Sequence, residues 1–298
     1  MALQEAGHEV ALAVTQPDRP VGRTQELVAP PVKQRALAAG IPLTQPDKIR
    51  NNADFRAQLE SIAPEAIIVV AYGRIIPPWM LTLPRYGCIN LHGSLLPKYR
   101  GAAPIQWAIA MGETVTGNTT MLLEEGLDTG PILLQQAVVI RPEQTAVELY
   151  EELAAGGAPL VVETLEGLAT GTIEPQTQDH SRATLAPLLG REDGRMDFSA
   201  FTATQLKNRW RGFQPWPGAF TTLNGKKLIV HRTDVAETVP PDAHAAAECG
   251  RLVISDQRIF VACAGHTWLE LIELQLEGKK RLPAAEFLRG MPAGIRLG

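Results

Sequence analysis

The chain has 298 residues, 45% of them hydrophobic and 20% charged, and a formal net charge of −4. That is enough chain for more than one core, and the acidic balance argues against indiscriminate binding to nucleic acid. It contains no apolar run of membrane-spanning length and no basic leader with a cleavage pattern; its three cysteines (Cys88, Cys249, Cys263) form no CxxC and its six histidines no HxxxH, so no metal site is predicted and a reducing cytoplasm suits it.

In chain order, MALQEAGHEV reads as the back half of a helix ended at Gly7, with no N-cap and no strand before it. HEVALAVT, AIIVVA, CINLH and the runs on either side of GLDTG read as strands. Helical patterns over VKQRALAAG, ADFRAQLESI, GAAPIQWAIAMGE and TAVELYEELAAGGAPLVVETLEGLA alternate with them. This order predicts an α/β fold over residues 1–173, a doubly wound, mostly parallel, Rossmann-like sheet. Residues 174–192 are polar, hold Pro175 and Pro187 and keep no period, which predicts an interdomain linker. Over residues 193–298 the strands KKLIVHR, RLVIS, RIFVAC and TWLELIELQ, with turns at NGKK and ISDQR, predict a small β-barrel. Charge separates the parts, since residues 193–298 carry a net +3 and residues 1–192 a net −7.

The stretch NLHGSLLPKYR, Asn90 to Arg100, follows an apolar strand directly. Side chains at i and i+2 of a strand share a face, so Asn90 and His92 point together, and two convergent donors are what a developing oxyanion needs. A single NxH at a strand end is more often a solvated turn. A second polar turn, GLDTG, comes after one further helix and strand and places Asp128 between Gly126 and Gly130. If the intervening chain makes a right-handed parallel crossover, both turns lie at the carboxyl ends of adjacent strands, where open sheets bind ligands. Taken alone, Asp128 reads as an Asx-turn residue serving only its own backbone.

Five separated blocks carry a resemblance: TQPDRPVGR (15–23), VVAYGRIIP (69–77), CINLHGSLLPKYRGAAPIQWAI (88–109), GLDTG (126–130) and NRWRGFQPWPGAFTTLNGKK (208–227). Through them the chain resembles the folate-dependent formyltransferases, and within that superfamily the methionyl-tRNA formyltransferase family. The resemblance implies transfer of a formyl group from 10-formyltetrahydrofolate to the amine of initiator methionyl-tRNA in the cytoplasm, by a monomer with an OB-fold-like second domain and no metal. It assigns the catalytic roles to Asn90, His92 and Asp128, the first two as donors to the oxyanion and the third as the group that orients His92 and takes the proton of the amine.

For the folate it points to Ser94, Leu95, Leu96 and Pro97, with Tyr72 and Gly73 from the preceding strand end. For tRNA it points to the loop holding Arg19 and Arg23, while the basic clusters Lys226–Lys227 and Lys279–Lys280 are candidates for phosphate contacts. Two departures from the family pattern stand out. Thr24, Gln25 and Glu26 replace the lysines usual after Arg23, and the chain opens without the first strand and its glycine-containing turn, which suggests that Met1 is an internal methionine or that the chain is a fragment. Three other functions remain open: formylation of an amino-sugar nucleotide, hydrolysis of formyl-folate, and a non-catalytic RNA-binding or regulatory module.

Overall fold

The computed structural model describes residues 1–22, 25–238 and 248–289. The chain divides into two compact units. The first comprises Met1–Ala102, Gly117–Val138 and Glu152–Leu185, the second Ala103–Thr116, Val139–Glu151 and Ala186–Gly298.

The elements begin with α1 (Ala2–Glu5), β1 (Ala13–Val14), the hairpin of β2 (Arg19–Val21) and β3 (Glu26–Val28), α2 (Pro31–Ala38) and β4 (Leu43–Thr44). They continue with α3 (Ala53–Ile62), β5 (Ile67–Val69), α4 (Pro78–Leu81), β6 (Cys88–His92), α5 (Pro104–Ala110), β7 (Val115–Leu122), β8 (Ile132–Val139) and α6 (Ala146–Thr170). Local chemistry explains several of them. Asn52 caps α3 by accepting from the Phe55 amide, and Phe55 and Leu59, one turn apart, bury the inner face of that helix against Ile49 and Met80. Pro31, Pro78 and Pro104 each open a helix, where a missing N–H costs nothing.

β1 pairs with β4 in parallel, and a separate sheet has the order β5-β6-β7-β8. β5 and β6 are parallel, but β7 runs antiparallel to β6, with Ile89 opposite Leu122 and His92 opposite Thr119. The sheet is therefore mixed, and the expected parallel crossover into β7 is corrected. Its cause lies in the connection. Residues 94–96 stay beside Thr119, at the end where β6 finishes, and α5 spans only seven residues, about 10 Å of rise. Chain re-entering the sheet from that end must run back down it.

In the second unit follow α7 (Ala203–Gly212), β9 (Phe220–Leu223), β10 (Lys226–Val235), β11 (Leu252–Ser255), β12 (Arg258–Cys263), β13 (Thr267–Leu276), β14 (Leu282–Pro283) and α8 (Ala284–Leu288). The strands make an antiparallel sheet of order β11-β12-β13-β10-β9, with β14 on β13. The predicted strands all form. The NG turn works as expected, with Asn224 and Gly225 both at positive φ, 51° and 76°. Leu206 of α7 packs with Leu228, Val230, Ile259, Val261, Leu269 and Leu271, inward residues of three strands. Thr202 caps α7 in a reciprocal box with Gln205.

Residues 174–192 are stitched to their surroundings. Gln176 bridges Ile132, and Arg100 bridges Leu185. Trp107 packs edge-on against Phe213 at 5.3 Å and donates to the Pro187 carbonyl. Among the described residues no helix is long and apolar enough to cross a membrane.

Within the second unit α5 and α7 touch through Gly212, where an added Cβ would sit 2.6 Å from the Gln106 carbonyl oxygen and 2.8 Å from the Ala110 nitrogen. Gly212→Ala is expected to force these helices apart and lower stability by about 1–3 kcal/mol. Thermal unfolding of the variant checks this.

Candidate active site

The site is built around β6. Leu91 turns toward α6, where its Cδ2 lies 2.6 Å from the place a Cβ on Gly157 would take. Asn90 and His92, on either side of Leu91, therefore share the opposite face. His92 is buried, and Asn90 is half-buried with no hydrogen bond to its carboxamide among the described residues. Cys88, on the same strand, donates to the Met80 carbonyl, and burial pushes its thiol up to about 12, so it is a packing residue and not a nucleophile.

The next segment returns across this face. His92 Nε2 lies 2.9 Å from the Tyr99 carbonyl oxygen, which only accepts, so Nε2 carries a proton. Two residues on, the Gly101 amide donates to Asp128 Oδ2 at 2.8 Å. His92 Nδ1 then faces that same carboxylate oxygen across 3.7 Å. Tyr99 and Asp128 both hold left-handed backbone, at φ 60° and 50°, as do many residues whose carbonyl or side chain must be aimed. Imidazole and carboxylate thus meet, with Asn90 on the same face of β6 as His92. Nδ1 is the only ring nitrogen left to serve a substrate.

Asp128 reaches this position although β7 runs the other way. Leu122, where β7 ends, lies opposite Ile89, three residues or about 10 Å down the strand from His92. The loop from Leu123 to Pro131 must climb that distance. The GLDTG glycines make room for it: a Cβ on Gly130 would stand 1.9 Å from the Leu122 carbonyl oxygen, and one on Gly126 2.1 Å from Thr129 Oγ1. Gln178 closes the turn by donating to the carbonyls of Asp128 and Gly130.

The residues predicted to hold folate are placed less openly than expected. The Ser94 hydroxyl is fully buried and donates to the Lys98 carbonyl at 2.6 Å, so it closes its own loop. Leu96 is buried, and Leu95 lies against Gly117. Thr119 organises this loop: Oγ1 donates to the Ser94 carbonyl at 2.6 Å and accepts from the Leu96 amide at 3.2 Å and Gln135 Nε2 at 2.9 Å. Pro97 follows on a cis peptide, half-buried. Gly73 is exposed, and Tyr72 is half-buried with its hydroxyl unpartnered, its pKa raised by burial; the Tyr72 carbonyl accepts from Gln16 at 2.8 Å.

Of the candidates for tRNA, Arg19 is exposed on β2, and Arg23 lies outside the described residues. In the second unit the structure gathers the four lysines. Leu228 pairs with Leu276 and the Glu277 amide donates to the Lys227 carbonyl, so Lys226, Lys227, Lys279 and Lys280 share one corner of the sheet. Lys227 Nζ lies 3.9 Å from the centre of the Phe220 ring. Among the described residues no group of three or more His, Cys, Asp or Glu is placed to hold a metal ion.

A mixed α/β sheet with a buried imidazole facing a carboxylate at the end of β6 falls in a class that family comparison names: the formyl transferase family model matches residues 1–165 and that of the formyl transferase C-terminal domain residues 189–292. A methionyl-tRNA formyltransferase of Acidobacterium capsulatum is 65% identical over 97% of this chain and 91% of its own length, and one of Koribacter versatilis 56% identical over 96% and 89%. The chain belongs to the methionyl-tRNA formyltransferase family. Among solved structures, WlaRD, a sugar 3N-formyl transferase determined in the presence of dTDP and 5-N-formyl-THF, shares the fold, with a TM-score of 0.63, 17% identity and 94% of each chain covered.

Sequence reading missed Thr119, Gln135, Gln178 and the backbone of residues 99–101. Thr119 sits in a run of buried polar residues, Asn118 to Thr120, within a strand, and buried polar side chains in a strand demand partners; that signal was available. Thr119→Val removes one hydroxyl that serves three groups. It is expected to destabilise the chain by about 1–3 kcal/mol for each buried group left unpaired, and to lower turnover as the loop before Tyr99 loosens. Thermal unfolding and an activity assay on the same preparation check both parts.

Proposed function

We propose that the chain transfers the formyl group of 10-formyltetrahydrofolate to the α-amine of methionine esterified to initiator tRNA. The observation that carries this reading is the meeting of His92 Nδ1 and Asp128 Oδ2 across 3.7 Å, beside the free carboxamide of Asn90. The relatives named above support the choice of acceptor.

In the proposed reaction the neutral amine attacks the formyl carbon, a C–N bond forms, and the carbonyl oxygen becomes an oxyanion. Asn90 Nδ2 and His92 Nδ1–H donate to that oxygen. The imidazolium that this requires has its other proton on Nε2, held by Tyr99, and its charge is matched by Asp128. Asp128 Oδ2 is occupied by the Gly101 amide, so Oδ1 takes the proton the amine releases. The bond from carbon to folate N10 then breaks, N10 takes up the proton that Asp128 received from the amine, which restores the carboxylate, and the products are formylmethionyl-tRNA and tetrahydrofolate. No metal enters the scheme.

The donor is assigned to Tyr72–Gly73 and to Ser94–Pro97, through backbone groups and the edges of Leu95 and Pro97, since the Ser94 hydroxyl is already engaged. The tRNA is assigned to Arg19 and Arg23 in the first unit and to Lys226, Lys227, Lys279 and Lys280 in the second, which we read as an OB-fold-like module. A cytoplasmic monomer fits this work.

The test is time-dependent formylation of charged initiator tRNA, run beside charged elongator methionine tRNA, an amino-sugar nucleotide, and no acceptor. Product on the initiator tRNA alone is the expected result. Preference for the sugar nucleotide, release of formate without acceptor, or RNA binding without turnover would each replace this reading. Asn90→Ala and His92→Ala are expected to lower kcat by about a hundredfold or more while leaving tRNA affinity nearly unchanged. Near-native turnover of His92→Ala would remove its role.

A further inference from the structure

Two buried polar side chains of the first unit lie outside the proposed chemistry. Gln178 and Arg100 are 4% and 7% exposed. Gln178 comes from the polar segment after α6, distant in sequence from the residues it touches. Its Nε2 donates to the Asp128 carbonyl at 2.9 Å and the Gly130 carbonyl at 2.7 Å, which uses both amide protons. Its Oε1 accepts from Arg100, at 3.2 Å from Nε and 2.6 Å from an Nη. The same Nη donates to His180 Nδ1 at 3.0 Å, since a guanidinium has no lone pair to offer.

The place of Arg100 in the chain gives this network its meaning. The carbonyl just before it, of Tyr99, receives His92, and the amide just after it, of Gly101, serves Asp128. One guanidinium–carboxamide contact therefore ties the backbone that touches both catalytic side chains to the turn that carries the carboxylate. Among the described residues Gln178 alone donates to the carbonyl of Asp128, a residue at φ 50° whose side chain swings with its backbone.

We propose that Gln178, clamped by Arg100, is a positioning residue for Asp128: it sets where the carboxylate stands relative to His92 Nδ1. A carboxamide is required because the position needs two donors toward carbonyls and one acceptor toward a guanidinium. Glutamate keeps the arginine and loses both donors. A merely space-filling glutamine would tolerate neither loss differently from the other.

The kinetic arm of the test rests on the function proposed above. kcat and KM are measured for Gln178→Ala, Gln178→Glu and Arg100→Lys, and for Gln178→Ala combined with Asp128→Asn, each variant being checked for folding by thermal unfolding. The expected result is a fall in kcat of about 10- to 100-fold for both Gln178 variants, KM for either substrate within about threefold, and no further loss when Gln178→Ala is added to Asp128→Asn. Losses that multiply in the double variant, a change confined to KM, or unchanged kcat would overturn the proposal.

The second arm needs no turnover. The ring 15N resonances of His92, identified by their disappearance in His92→Gln, are compared in the native chain, Gln178→Ala, Gln178→Glu and Asp128→Asn. The Gln178 variants are expected to move them in the same sense as Asp128→Asn, and resonances that stay in place would refute the positioning role. A chain that fails to formylate tRNA yet shows the shared shift would refute the functional reading alone.

Discussion

The site depends on one short strap of backbone. Between the Tyr99 carbonyl and the Gly101 amide lies a single residue, Arg100, and these two groups hold the imidazole and the carboxylate respectively. Because both contacts come from the two peptide units that flank Arg100, the separation between His92 and Asp128 follows the backbone conformation of that one residue, which the surrounding bonds hold. Tyr99 adopts left-handed backbone there at a cost of about 1–2 kcal/mol, which persists only where surrounding bonds over-determine it. Those bonds are identifiable: the Tyr99 amide donates to Thr184 Oγ1, the Arg100 amide to the Thr184 carbonyl, and the Arg100 side chain to Gln178.

That arrangement explains why so much buried polar structure surrounds His92 and Asp128. His92, Ser94, Arg100, Thr119 and Gln178 are all buried, and each is paired. A low-dielectric interior strengthens every one of these bonds and penalises any that is missing, so the network either forms whole or fails. The commitment of Nε2 to a carbonyl has a further consequence for chemistry: it leaves Nδ1 as the working nitrogen, on the side where the carboxylate stands.

The second unit is organised by different physics. Its antiparallel strands pack one face on α7 around Leu206, and its polar turns are left to solvent. Four lysines reach one corner because β10 begins where β13 ends. Basic side chains of this kind can hold a polyanion by charge without reading its sequence, which is the role proposed for them.

The sequence by itself determined the elements and which polar side chains stand at the end of β6 and in the turn after β7. Period and composition are local, so the helices at 53–62, 104–110 and 146–170, the strand CINLH and the C-terminal strands could be read directly. NLH placed two donors on one face, and GLDTG marked a tight polar turn, because strand alternation and glycine crowding are also local rules. Only the tertiary structure decided that β7 turns back against β6, that the aspartate turn climbs to the imidazole, and that Ser94 is spent on its own loop. Gln178 and Thr184 were illegible within a polar, Pro-containing stretch that reads as linker. Their partners lie far away in sequence, and which buried carbonyl a side chain finds is settled by long-range packing, of which a single sequence carries no periodic trace.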